Sequence, residues 1–179
     1  MSKNISTKNF TSSGFKEFVI EHLAKCNNIE LVILKGHVLI EYMLNHFIDK
    51  ATNDNIDFEN TRFSFSQKNY LFELLGDNIK ELHDEINLVN KLRNDIAHRL
   101  TYNNQHLSTL LSNVGRKYNK ITELQKDNQL MLALIATMTY ICGTLYGHIE
   151  SQSKKKEIIT DFLNFIKKNK KNKSQNKEA

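Results

Sequence analysis

The sequence contains no proline, no tryptophan and only six glycines in 179 residues. Sandwiches and barrels turn often and draw on Pro and Gly to do so. Their scarcity argues against all-β architectures and for long helices. Two cysteines, Cys26 and Cys142, are too few for a disulfide scaffold or a cysteine-based zinc site. No secretory signal stands at the start, so a reducing, cytoplasmic compartment is expected. A Gly-rich phosphate loop, G-x-S-x-G and H-E-x-x-H are also missing. A carboxylate-bridged di-iron bundle needs two E-x-x-H pairs, and the only acid three residues before a histidine is Asp95, before His98. No metal and no cofactor are expected.

With 40% hydrophobic and 25% charged residues in 20.9 kDa, the chain has the makings of one folded domain. The net charge is +5, and 167–179 carries all of it, with six lysines against one glutamate. Residues 1–166 are therefore neutral overall. The tail reads either as a solvated terminus or as a site where Lys167, Lys168, Lys170 and Lys171 attract RNA phosphate without reading sequence.

The apolar pattern predicts a flexible N-terminal segment at 1–13, a single all-α domain at 14–166 and a Lys-rich tail at 167–179. A first helix is expected at about 15–25, stopped by Asn27 and Asn28. A strongly apolar second follows at about 29–51. A polar row, His37, Glu41, Asn45 and Asp49, crosses that helix at four-residue steps and reads either as a solvent stripe or as the wall of a site. After a polar loop at 52–61, Ser66 is expected to cap a short helix. Phe65 would be stapled to Tyr70, and Gly76 would close the helix in a left-handed cap. Further helices are expected at about 79–100 and 107–126, the latter weakened at Gly115. Residues 128–147 carry no charge, which is long enough to raise a membrane. Asn, Gln, Thr and Gly dilute that stretch, so the expectation is a central core helix around 131–146 and no membrane. A final amphipathic helix is expected at about 155–168. Together these make a helical bundle with extra N- and C-terminal helices.

The helix at 79–100 carries the most information. Its apolar seam steps through Leu82, Ile86, Val89, position 93, Ile96 and Leu100, in alternating intervals of four and three. Position 93 is Arg. An arginine on a packed seam is costly unless it is paired or solvated. The chain holds 21 lysines and four arginines, and only Arg offers a planar fork for phosphate or carboxylate. Arg93 either reaches the rim, or pairs with an acid such as Glu41, or serves a ligand. Asn94 and His98 stack four apart. Arg93 and His98 lie about 140° apart on an ideal helix, so convergence needs a loosened helix, a long reach or a second copy across a dimer axis.

Arg93-Asn94-Asp95-Ile96-Ala97-His98 resembles the Arg-x4-His signature of the HEPN superfamily, in which a polar residue often follows the Arg. Residues 34–44 resemble the family's early polar-bearing helix, and 65–72 the short helix before the motif helix in mannitol-repressor-like branches. The likeness covers roughly 31–146. Some toxin branches carry a Tyr two residues after the His; that position is Leu100 here, and Tyr102 lies four after.

The resemblance implies a HEPN-type bundle acting as a homodimeric, metal-independent endoribonuclease, as a toxin or phage-defence effector with an antitoxin or defence-system partner. It casts Arg93, His98 and Asn94 as catalytic, with Glu41, His37 and Asp95 in support. The chemistry is consistent with that cast. RNA brings its own nucleophile, the 2′-OH, and histidine can serve as acid or base near neutrality. The alternative is a non-catalytic HEPN-like dimer, a regulator or a module binding RNA, a nucleotide or a protein. An intact Arg93 and His98 favour the first, and the neutral body favours the second.

Overall fold

The computed structural model describes residues 12–52, 63–76, 80–126 and 129–175, beyond Gln152 for the helical backbone alone. The described residues form seven helices and no strand: α1 (Ser12–Ala24), α2 (Ile29–Ala51), α3 (Phe65–Leu75), α4 (Lys80–Arg99), α5 (Asn104–Lys117), α6 (Asn119–Lys126) and α7 (Leu130–Gln175). The protein is an all-α helical bundle.

The starts of the helices follow from short polar side chains. Asn28 ends the gap after α1 and caps α2, its Oδ1 accepting from the Leu31 amide at 2.7 Å. Ser64, not Ser66, caps α3, in a reciprocal box with Gln67. Phe65 is consequently the first helical residue. It is buried and stacks on His37 with ring centroids 4.1 Å apart, while Tyr70 is 56% exposed and takes no part in a staple. Asn103 caps α5 through the Gln105 amide.

α2 and α7 are the central pair, and their apolar faces meet at close range. A β-carbon on Gly36 would stand 2.7 Å from Met138 Sδ and 2.9 Å from its Cγ, so the missing side chain is what lets the two helices cross. α1 lies on α7, with Phe15 stacked on Tyr146 at 4.8 Å. α3 and α4 pack on α2, and α5 and α6 close the far side of α7. One core cluster runs from Phe15 to Ile149 and includes Ile40, Phe47, Phe72, Ile86, Leu110 and Leu134. Both cysteines are buried within it and free. Burial pushes the Cys142 thiol up to about 12.

Several expectations need correcting. The helix expected at 107–126 is two helices that part at Tyr118. Gly115 lies inside α5 and is buried, packed toward Thr122. The core helix and the final amphipathic helix are one rod, α7, about 69 Å long at 1.5 Å per residue. The intervening Lys and Glu are good helix formers, and neither Pro nor Gly interrupts them. Gly76 closes α3 with φ −98°, outside the left-handed region. The residue that enters that region is Leu100, φ 58°, directly after α4. Met131–Tyr146 supplies core through Leu134, Met138, Ile141, Cys142 and Leu145, but its opposite face is partly open at Leu132. Most of the expected loop at 52–61 and most of the segment at 1–13 lie outside the described residues.

Ile29–Ala51 and Leu130–Gln152 are long and apolar enough to cross a membrane. In the fold, each turns one face into the shared core.

Candidate functional site at the end of the motif helix

α4 owes its placement to its seam. Leu82, Ile86 and Val89 are buried, and Leu92 and the carboxylate-bearing Glu85 join them. Lys117 of α5 donates to Glu85 Oε1 at 2.6 Å, where the Glu85 side chain is 2% exposed. A desolvated pair of this kind pins α5 to α4. The bundle then runs out. Ile96 is half-buried, Arg93, Ala97 and His98 are exposed, and Leu100 is 88% exposed. Arg93 does stand on the seam's phase, but among the described residues nothing covers the seam there and its side chain is exposed.

The expected site residues fall into three groups. Arg93 Nη1 donates to Asn94 Oδ1 at 3.1 Å, and among the described residues Arg93 has no carboxylate partner. Asn94 thus steadies the arginine and does not reach His98. The helix stays regular through Arg99, so it does not loosen to bring Arg93 and His98 together. Five residues still separate them, about 7.5 Å along the axis and about 140° around it.

Glu41 and His37 belong to a second group, between α2, α3 and α4. Lys68 Nζ reaches Glu41 Oε1 at 2.7 Å, so Glu41 holds a lysine of α3 and not Arg93. His37 Nε2 lies 3.3 Å from Asn90 Oδ1, and Asn90 in turn donates to Ser66 Oγ. The polar row of α2 begins as a wall facing α3 and α4, not as a solvent stripe. Burial lowers the His37 pKa below its ordinary value. The Asn90 bond and Glu41 oppose this shift, and the charges of Arg93 and Lys68 add to it. Arg93 is therefore electrostatically joined to this wall although it makes no bond to it. Deeper along the same interface, Asn69 donates to the His83 carbonyl and to Asn87, and Asn87 donates to His83 Nε2 at 2.9 Å.

Asp95 forms the third group, on the other side of α4. Its Oδ2 accepts from His106 Nδ1 of α5 at 2.9 Å, with side chains 13% and 33% exposed. His98 stands one turn beyond Asp95. The sequence reading missed His106, Lys68 and Asn90. The available signal for His106 was its place in the first turn of the helix that follows the motif helix. No group of His, Cys, Asp and Glu suited to a metal ion occurs among the described residues.

The tail lysines Lys167, Lys168, Lys170 and Lys171 sit on the helical backbone of α7, and their side chains lie outside the described residues. A cavity of about 670 Å³ between α1, α6 and α7 is apolar and lined by residues that include Phe15, Leu124, Ile135, Tyr140 and Gly143, none of them in the groups above.

Compared with family models, curated proteins and solved structures, the chain matches none, so the chemistry of these residues carries the functional reading by itself.

Proposed function

We propose that the protein is a metal-independent endoribonuclease of the HEPN type. The observation that carries this reading is an uncovered helix end. Arg93 is exposed without a carboxylate partner among the described residues, and exposed His98 follows it on the same regular helix. A guanidinium held, among the described residues, by Asn94 alone keeps donors for a phosphodiester and can offset charge on its non-bridging oxygens. A histidine exchanges the protons of the 2′-OH and the departing 5′-oxygen. The products are a 2′,3′-cyclic phosphate and a 5′-hydroxyl end. From α2, His37 feels the charge of the arginine.

One chain presents Arg93 and His98 on different sides of α4. A two-fold homodimer that apposes two α4 ends brings the arginine of one copy toward the histidine of the other. Exposed Leu34 and Val38 flank His37 on α2, and exposed Leu100 follows α4. These side chains give such a dimer apolar area to bury. The setting is cytoplasmic, as a toxin or phage-defence effector restrained by a partner protein, and the lysine tail adds non-specific affinity for RNA.

The same exposed leucines and valine, on a body with no net charge before residue 167, favour a second reading: a non-catalytic HEPN-like dimer that docks a protein. The two readings part on one experiment. His98→Ala and Arg93→Ala should each lower RNA cleavage on the order of 10²–10⁴-fold, with circular dichroism unchanged. Undiminished cleavage by His98→Ala protein freed of host nucleases rejects the nuclease assignment. In the docking reading the wild type cleaves nothing, and Leu34→Asp or Val38→Asp abolishes partner binding.

A further inference from the structure

We infer that His106, held by Asp95, is a second catalytic histidine supplied by the same chain as His98; this rests on the ribonuclease reading above. Cleavage by 2′-OH attack needs one group to take a proton and another to give one. The motif names a single histidine. The structure places a second, His106, on the carboxylate of Asp95, three residues before His98. Asp95 projects from α4 toward the first turn of α5, where its Oδ2 meets His106 Nδ1 at 2.9 Å. A carboxylate oxygen only accepts, so Nδ1 carries hydrogen. In the neutral ring Nε2 then carries the lone pair. The Asp95 side chain is 13% exposed and that of His106 is 33% exposed. The carboxylate is therefore sheltered, while the imidazole still meets solvent. A histidine fixed through Nδ1 by a sheltered carboxylate is an oriented proton acceptor.

His98 is the neighbour that completes the pair. It follows Asp95 by three residues, about 60° around the helix, and i,i+3 side chains on a helix surface are neighbours. His98 is exposed and, among the described residues, its ring has no partner. Arg99, also exposed, adds positive charge one turn beyond Asp95. One imidazole is thus fixed on the Asp95 carboxylate, and the other leaves the helix at the neighbouring i,i+3 position, free to follow the substrate.

The roles follow from that difference. His106 Nε2 takes the 2′-OH proton as O2′ bonds to phosphorus. The P–O5′ bond breaks, and the protonated ring of His98 gives its proton to O5′. Both histidines end in the opposite protonation state and exchange with water. No metal or other reactant enters. Asp95 acts through His106 and is a positioning residue.

The test uses the full chain with a single-linkage RNA substrate. His106→Ala and His106→Gln should each lower kcat on the order of 10²–10⁴-fold, with the melting temperature held in His106→Gln. Gln can still donate to Asp95 but cannot accept the proton, so it separates catalysis from the clip between helices. Asp95→Asn should lower kcat with KM unchanged. A 5′-bridging sulfur substrate, whose leaving group needs no proton, should restore His98→Ala and leave His106→Ala slow. Mixed dimers of His98→Ala and His106→Ala subunits should stay inactive, because each cluster lacks one member. Wild-type rates in folded His106→Gln, with His98→Ala inactive, overturn the inference and leave the ribonuclease reading standing. Restored cleavage in the mixed dimers overturns the same-chain pairing. A wild type that cleaves no RNA overturns both.

Discussion

A methyl group added at Gly36 measures how closely α2 and α7 cross, and so how firmly the wall behind Arg93 is held. Gly→Ala within a helix ordinarily stabilises by about 1 kcal/mol, because alanine loses less backbone freedom on folding. At Gly36 the new carbon would lie 2.7 Å from Met138 Sδ and 2.9 Å from Cγ. Met138 is 0% exposed in the core, so its side chain has no solvent to retreat into. Overpacking of this kind costs about 1–3 kcal/mol. The net change for Gly36→Ala therefore runs from about zero to about 2 kcal/mol of destabilisation. Gly143 and Gly147, on α7, are the controls. A β-carbon at either meets nothing within 4 Å, so Gly143→Ala and Gly147→Ala should each gain the full increment of about 1 kcal/mol. Urea melts of the variants should separate Gly36→Ala from the controls by about 1–3 kcal/mol. Met138→Ala in the Gly36→Ala background should show a coupling energy of about 0.5–3 kcal/mol. If Gly36→Ala stabilises as much as Gly143→Ala, the close crossing of α2 and α7 is refuted.

His37 sets a pH dependence. Its folded pKa lies below the ordinary histidine value, so the unfolded chain binds the proton more readily. The stability it contributes is present above about pH 6.5 and is lost as pH falls toward the folded value, by at most about 1.4 kcal/mol per pH unit. Urea midpoints at pH 5 and pH 7 should differ in that direction, and less so in His37→Gln; an equal difference in both rejects the buried neutral histidine. Glu85→Ala removes a buried carboxylate and its charged bond to Lys117 and should cost about 1.5–3 kcal/mol in a urea melt, whereas a loss under about 0.5 kcal/mol would place the pair in solvent. Leu100 holds φ 58° with its side chain 88% exposed, so Leu100→Gly should raise stability by about 1 kcal/mol. Destabilisation there would mean that the leucine makes contacts worth more than its strain.

The helices were legible in the sequence because burial repeats with the helical period. Leu82, Ile86 and Val89 fall where the seam puts them, and Arg93 keeps the phase. A period gives the phase of a helix but not where its neighbours end, so the exposure of Arg93 and Leu100 emerges only with α2 and α5 in place. The continuity of α7 was obscured for a related reason. The polar run after Glu150 interrupts the apolar stripe without interrupting the backbone, because Lys, Gln and Glu favour helix. Ser66 and Ser64 are both competent caps, and the choice fell to Ser64 because Phe65 is needed inside, against His37. The motif residues Arg93, Asn94 and His98 share one helix and were readable together. Their partners were not. Glu41 meets Lys68 and Asp95 meets His106 across tertiary contacts, and no local spacing encodes which cation reaches which acid.

End-group analysis of RNA cut by the purified wild-type chain in EDTA addresses the proposed chemistry most directly. Attack by the 2′-OH needs no metal, so cleavage should proceed in chelator and leave 2′,3′-cyclic phosphate and 5′-hydroxyl ends, and these products should vanish with His98→Ala. Cleavage that requires added metal, products bearing 3′-hydroxyl and 5′-phosphate ends, or no cleavage at all would contradict it.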